Sequence, residues 1–434
     1  MPLPSRRNPS STSPFLLRRL FADSWQSTII RIATLASKAL LLLFFLGPMP
    51  PEQIGIFGLM TVSIAISVSL LGVDYYIFNS RELLGQTTAP QVILVRDQLV
   101  VHSIVYIICL PLLSILFILG PLDFQLAYWF YVILIFEHLA TESFRLLITL
   151  GRPVAANVVQ FLRSGAWIYP LLIHVYSTDN SVHLDLLWHY WATGGFISLV
   201  LSSYLLLAHF NWREGRGTPI DWWRIRLGFR NSLLFFCGTI FLRLHEFSDR
   251  YILQHYLGEA QLGVYTIYTQ ITSVILTLVT TGVVLILYPR IVSSYQDSQI
   301  DVYQSTMRQL ASTVALTTCL LSLATLAASF IVFRNMADPV YLSNFGALIV
   351  LVMSNFITMI TTVPNYSLYV RKLDRLIVSG TFLSLLLNFV LNLIAIPAWG
   401  IYGAASVSLT SATLSLVWYR VSFLFLREKT RDAY

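Results

Sequence analysis

Apolar runs of about twenty residues recur from one end of this chain to the other, and they leave few folds open to it. At a 1.5 Å rise per residue, a helix of that length crosses a hydrocarbon core about 30 Å thick. Only 11% of the 434 residues are charged and 56% are hydrophobic, against roughly 25% charged in an ordinary soluble protein. A soluble fold cannot hide that much apolar surface. Twelve spans are predicted, near 25–46, 54–78, 97–119, 124–148, 154–176, 184–209, 229–255, 261–288, 309–333, 341–364, 375–396 and 400–426. The runs are continuously apolar, without the alternation of a lipid-facing barrel strand. The expected fold is therefore all-α, a polytopic membrane protein of about twelve transmembrane helices.

Lys and Arg set the expected orientation, because loops on the cytoplasmic side retain positive charge. Arg6, Arg7, Arg18 and Arg19 precede the first span, and alternate loops carry Arg81 and Arg96, Arg152, a cluster from Arg213 to Arg230, Arg290 and Arg308, and Arg371, Lys372 and Arg375. Arg427, Lys429 and Arg431 close the chain on the same side. The facing loops, near Pro48, Pro121, Asp179, Glu259, Asp338 and Pro397, contribute one clear cation, Arg334. Both termini are expected in the cytoplasm, and the net charge of +7 is a topology signal rather than a nucleic-acid footprint. Cys109, Cys237 and Cys319 lie inside spans without CxxC spacing, so they are expected to be apolar filler rather than disulfides or metal ligands. No cleavable signal peptide is expected, since the first run is long and contains Arg31 and Lys38.

A short pattern recurs. Gln53, Ile54, Gly55, Ile56 and Phe57 are matched 208 positions later by Gln261, Leu262, Gly263, Val264 and Tyr265. Each half holds six spans, an even number, so the two halves share an orientation and form a parallel repeat about an axis along the membrane normal. The expected division is a tail at 1–24, one six-helix lobe at 25–210, an amphipathic linker at 211–228, a second lobe at 229–426 and a tail at 427–434. The linker sets Trp222, Trp223, Ile225, Leu227 and Phe229 among Arg224, Arg226 and Arg230, a pattern suited to a short helix on an anionic leaflet.

The halves also repeat a polar stripe. Ser27, Arg31, Thr34 and Lys38 share one face of the first span, and Thr239, Arg243, Glu246 and Arg250 repeat that spacing in the seventh. Cations in a bilayer face a protein interior or a watery cavity. Arg31, Lys38, Arg163, Arg243 and Arg250 are thus expected to line a path across the membrane and to hold an anionic head group. The competing arrangement is internal ion pairing: Glu142 reaches Arg145, Glu246 reaches Arg243 or Arg250, and Asp249 adjoins Arg250. Arg31, Lys38 and Arg163 have no acid three or four positions away, so their own helices cannot neutralise them. His138, Glu142 and Arg145 share a face of the fourth span, beside Glu137. Asn355, Thr358 and Thr362, and Ser384, Asn388 and Asn392, form uncharged stripes expected to bond helix to helix.

An Arg-lined cavity suits phosphate, because the planar guanidinium donates two hydrogen bonds at once. With twelve spans in two parallel lobes, the segments "GIFGL", "GVYTIY", "ILYPRIV" and "IPAWGIYGAAS" resemble the polysaccharide transporter branch of the multidrug/oligosaccharidyl-lipid/polysaccharide exporter superfamily, in particular its Wzx-type O-antigen and exopolysaccharide flippases. The resemblance implies a non-enzymatic protein of the inner membrane. Such a protein moves a lipid-linked oligosaccharide on undecaprenyl diphosphate between leaflets, with membrane lipids and the polymerase and chain-length machinery as partners. No G-x-x-x-x-G-K-[ST] motif is present. No cofactor is expected, and coupling would use H⁺ or Na⁺, with Glu142, Glu246 or Asp249 as carriers. Asp74, near a span end, reads equally as a solvated helix-end residue. The alternatives are a multidrug antiporter of the same fold, disfavoured by the excess of Arg and Lys, and a polysaccharide polymerase or glycosyltransferase, disfavoured by short outer loops.

Overall fold

The computed structural model describes residues 14–118, 120, 122–178, 183–213, 215, 217–336 and 338–431, with side chains described from Trp25 to Phe423 apart from those of residues 89 and 336. The Pro/Ser-rich opening with Arg6 and Arg7, the loop residues Pro121 and Asp179, Arg216 and the last three residues lie outside this set. All regular structure among the described residues is helical. The helices are α1 (Pro14–Leu46), α2 (Pro51–Gly72), α3 (Tyr75–Leu83), α4 (Thr88–Leu113), α5 (Ile115–Ile118), α6 (Ala127–Thr149), α7 (Pro153–Phe161), α8 (Ile168–Thr178) and α9 (Leu184–His209), then α10 (Trp222–Val279), α11 (Leu285–Gln296), α12 (Ile300–Met336), α13 (Pro339–Ser343), α14 (Phe345–Tyr369) and α15 (Asp374–Arg431).

Eight helical stretches among the described residues are long and apolar enough to cross a membrane. Two of them, Trp222–Gln296 and Asp374–Phe423, each hold two spans. They fold back at Gly258 (φ 76°) and Gly400 (φ 59°), left-handed conformations that glycine adopts without a Cβ clash. The fourth span, α6, carries Glu137, Glu142 and Arg145. The fifth is split into α7 and α8 by a π turn at Leu162–Ala166. Twelve spans in two lobes result, α1–α9 and α10–α15.

The recurring pattern turns out to be a contact. A Cβ on Gly55 would stand 2.1 Å from the Glu259 carbonyl oxygen, and one on Gly263 would stand 1.8 Å from that of Pro51. Residues 51 and 55 each precede their counterparts 259 and 263 by 208 positions, so the contact is reciprocal, like the two sides of a two-fold interface. Gly58 meets the side chain of its own counterpart, Thr266. Only residues without side chains let helix backbones approach so closely in a bilayer. α2 is apolar on every face, and such helices are buried: Ile54, Met60 and Leu71 are fully enclosed, and Phe57 stacks on Trp188 at 5.8 Å.

Polar bonds continue the junction between the lobes. Ser63 bonds Tyr251 at 2.7 Å, and the Thr239 hydroxyl donates to Asp74 at 2.5 Å. Asp74 is buried, so it is not the solvated helix-end residue that the sequence allowed. At the linker end, the buried Asp97 carboxylate is gripped by Arg96 at 2.7 Å and by Arg224. Arg96 also donates to the carbonyl oxygens of Gly215, Thr218 and Pro219. The linker aromatics form no separate surface helix: Trp222 opens α10, whose backbone stays helical to Gly258. Trp222 and Trp223 are nonetheless exposed, as an interfacial anchor requires. Of the cysteines expected as filler, Cys109 and Cys237 are half-buried and Cys319 is exposed.

Replacing Gly263 by Ala forces the two lobes apart at a backbone contact, and overpacking of this kind costs about 1–3 kcal/mol. Gly282→Ala is the control, since nothing lies within 4 Å of a Cβ there. Thermal unfolding of the purified protein in detergent should show a loss for the first substitution and none for the second.

Candidate functional site

On α1 the charged residues and the lipid-facing residues occupy different sides. At 100° per residue, Arg31 and Lys38 fall about 20° apart, while the exposed Ile29, Ile32, Leu40 and Leu43 lie roughly 100–180° away. The accessible cations thus point away from the apolar stripe, toward α7 and the π turn, on which α1 packs. The Arg31 Nε donates to the Asn157 side chain on α7 at 3.0 Å. Lys38 is exposed and makes no hydrogen bond or ion pair with a described residue.

Arg163 sits inside the π turn, a distortion that recurs at functional sites. It is not left open as an anion hook. Its guanidinium pairs with Glu137 of α6 at 2.9 Å and donates to Thr141 and to Gln160. The same Glu137 carboxylate accepts from Trp191 Nε1 at 2.9 Å. Spacing along one helix could not reveal this pair, because the acid comes from a neighbouring helix.

Further along α6, the pairing read from spacing is present: Arg145 holds Glu142 at 2.6 Å and lies over the Tyr76 ring at 3.8 Å. His138 bonds Tyr106 at 2.7 Å. Three α4 side chains missed by sequence reasoning complete this cluster: Gln98 donates to Glu142 at 2.8 Å, His102 approaches it at 3.4 Å, and Tyr106 bonds His138. Residues 98, 102 and 106 recur every four positions, the helical period that exposes such a stripe.

In the second lobe, Arg243 and Glu246 pair at 2.8 Å with 38% and 47% of their side-chain surfaces exposed. Arg250 is buried against Asp249 at 2.8 Å, and Tyr265 donates to the other Asp249 oxygen at 2.7 Å. Arg250 is therefore tied into its own lobe and is not joined to the cations of α1. Near the linker end a cavity of about 710 Å³ has a mainly apolar lining that includes Ile77 of α3, with polar groups from Thr239, His245, Tyr288, Thr358 and Asn365. Asn355 is half-buried and is not among its lining residues. The Ser384, Asn388 and Asn392 stripe bonds helix to helix through Ser384 with His245 and Asn388 with Ser411, while Asn392 donates to Asn388 within its own helix.

No known family profile and no curated protein matches this sequence. Solved structures do match over nearly the whole chain. An inward-facing multidrug resistance MATE family transporter of the MOP superfamily superposes with a TM-score of 0.71 at 13% identity, covering 92% of this chain and 99% of that one. The lipid II flippase MurJ in an inward closed conformation gives 0.69 at 13% identity, covering 93% and 87%. An outward-facing MATE transporter gives 0.55 at the same identity, covering 95% of each chain. The chain has the fold of these transporters.

Removing one partner of a buried pair strands the other charge, at a cost of roughly 3–5 kcal/mol, whereas an exposed pair contributes about 0–1 kcal/mol. Glu137→Gln should lower the unfolding temperature in detergent markedly, and Glu246→Gln should leave it nearly unchanged.

Proposed function

We propose that this protein is a flippase that moves a lipid-linked oligosaccharide, carried on a polyprenyl diphosphate such as undecaprenyl diphosphate, from the cytoplasmic to the periplasmic leaflet during O-antigen or exopolysaccharide synthesis. The observation that carries the reading is the pair of accessible cations on α1. Arg31 and Lys38 have no acid partner among the described residues and lie away from the lipid-facing stripe, in a fold shared with a lipid II flippase. A diphosphate suits such a site: Arg donates in a fork and Lys supplies a point charge. The hydroxyls and Asn365 in the cavity near the linker are the groups there that could bond uncharged sugar, and the prenyl tail stays in the bilayer.

Residues 25–210 and 229–426 would move as rigid bundles, joined by the linker at 211–228, with both termini cytoplasmic in the inner membrane. The Gly55 and Gly263 contact would then seal the periplasmic side in this state. Glu142, Glu246 and Asp249 are the acids available for H⁺ or Na⁺ coupling. Each already holds an arginine, so neutralising one would free a cation for the cargo. The MATE neighbours favour a second reading, a multidrug antiporter.

The test is complementation of a strain lacking the protein, with membrane levels checked. Lys38→Ala and Arg31→Ala should each abolish surface polysaccharide and leave lipid-linked repeat units inaccessible at the periplasmic face. Arg31→Lys retains charge but not the fork, so loss of function there assigns bidentate recognition. Normal polysaccharide in both Ala variants would remove the reading, and drug resistance conferred without a polysaccharide phenotype would select the antiporter.

A further inference from the structure

The first lobe contains a second cluster, which shares Glu142 with the coupling acids proposed above but whose metal binding is tested without reference to transport. His102 of α4 and His138 and Glu142 of α6 are all buried. One donor atom from each lies within 4.8 Å of the other two. The imidazole rings meet edge to face at 4.9 Å, and His102 Nε2 stands 3.4 Å from Glu142 Oε2. Two ring nitrogens in this dry setting, His138 Nε2 and His102 Nδ1, have no hydrogen-bond partner among the described residues. We infer that His102, His138 and Glu142 form a binding site for a divalent transition-metal ion of the zinc class, clamping α4 to α6 inside the first lobe.

The donor set fits that chemistry. Two imidazoles and one carboxylate are a recurrent zinc set that leaves a position open for water or a further ligand. His138 is oriented for it. Its Nδ1 is engaged by the Tyr106 hydroxyl at 2.7 Å, which turns the unpartnered Nε2 inward, and an outer-shell bond of this kind sets the tautomer and aims the ring of a metal ligand. Gly72 keeps one side of the cluster open: a Cβ there would stand 3.8 Å from His138 Nε2 and 3.5 Å from Glu142 Oε1. Donors bound at about 2.1 Å around a tetrahedral ion stand roughly 3.4 Å apart, so occupancy draws the three side chains together by about 1 Å.

Two features oppose binding: the Gln98 amide, which donates to Glu142 Oε2 at 2.8 Å and lies 3.3 Å from His102 Nε2 and must yield to an ion, and Arg145, which sharpens the test. The Arg145 guanidinium sits 2.6 Å from Glu142 Oε1, and its charge repels a second cation. The Tyr76 ring, 3.8 Å away, holds that guanidinium when an ion occupies the other carboxylate oxygen. Removing the Arg145 charge should therefore tighten metal binding, the opposite of what a structural defect would do.

The test uses the purified full chain in detergent, with any tag removed, titrated with Zn²⁺ alone by calorimetry and with Co²⁺ by its ligand-field absorption. The expected result is one equivalent bound per chain, with a metal-dependent rise in unfolding temperature. His138→Ala and Glu142→Gln should abolish both. Tyr106→Phe keeps every ligand and should weaken binding by about 10–100-fold, the usual effect of an outer-shell loss, while Arg145→Gln should strengthen it. Should His138→Ala fail to fold, Tyr106→Phe and Arg145→Gln decide by their opposite shifts. Wild-type protein that binds neither ion, or that binds identically in all variants, would overturn the assignment.

Discussion

A fixed charge in hydrocarbon must be neutralised or hydrated, and that constraint organises this protein. Its insertion cost, about 2.5–3.5 kcal/mol for an Arg or Lys at the helix centre, is met in two ways. Arg163, Arg145 and Arg250 are neutralised by Glu137, Glu142 and Asp249, and each carboxylate accepts a further hydrogen bond, from Trp191, Gln98 and Tyr265 respectively. Arg31 and Lys38 have no acid partner among the described residues, so hydration or a bound anion has to offset their charge. The division separates the structural cations from the accessible ones without reference to any ligand.

The second organising element is the close approach of α2 and α10. Four points of α2 and its end meet α10: Gly55 against the Glu259 backbone, Gly58 against the Thr266 side chain, Ser63 through Tyr251, and Asp74 through Thr239. Hydrophobic burial gives little drive to helix association in lipid, so packing of small residues and hydrogen bonds carry it. Both lobes bring the same short pattern to the junction and each presents its glycine to the other's backbone. A reciprocal joint of this kind can part and re-form as a unit, which is what rocking of one lobe against the other needs. The Asp97 grip on Arg96 and Arg224 at the opposite end ties the linker to the first lobe, so the two ends of the junction differ in chemistry: backbone contact at one, charge at the other.

Much of the fold was legible because bilayers restrict the choices. Apolar length set the spans, and the repeat of Gln53–Phe57 at Gln261–Tyr265 set the relation of the halves. Pairs three residues apart on one helix, Glu142 with Arg145 and Arg243 with Glu246, followed from helical period alone. The Arg163–Glu137 pair was not legible, since it joins α6 to the π turn across 26 positions. Nor were the α4 residues of the histidine cluster singled out, although their four-residue spacing was available.

What the sequence determined by itself is the set of properties that depend on neighbours along the chain: helix, length, apolar face, repeat, and local ion pairs. The tertiary structure decided which charges stay accessible, that Asp74 is a buried acceptor rather than a helix-end residue in water, and that two glycine patterns touch. The physical reason is that neutralisation and close packing are settled between helices, by side chains whose meeting depends on how the bundles are stacked, and no period along a single helix records that.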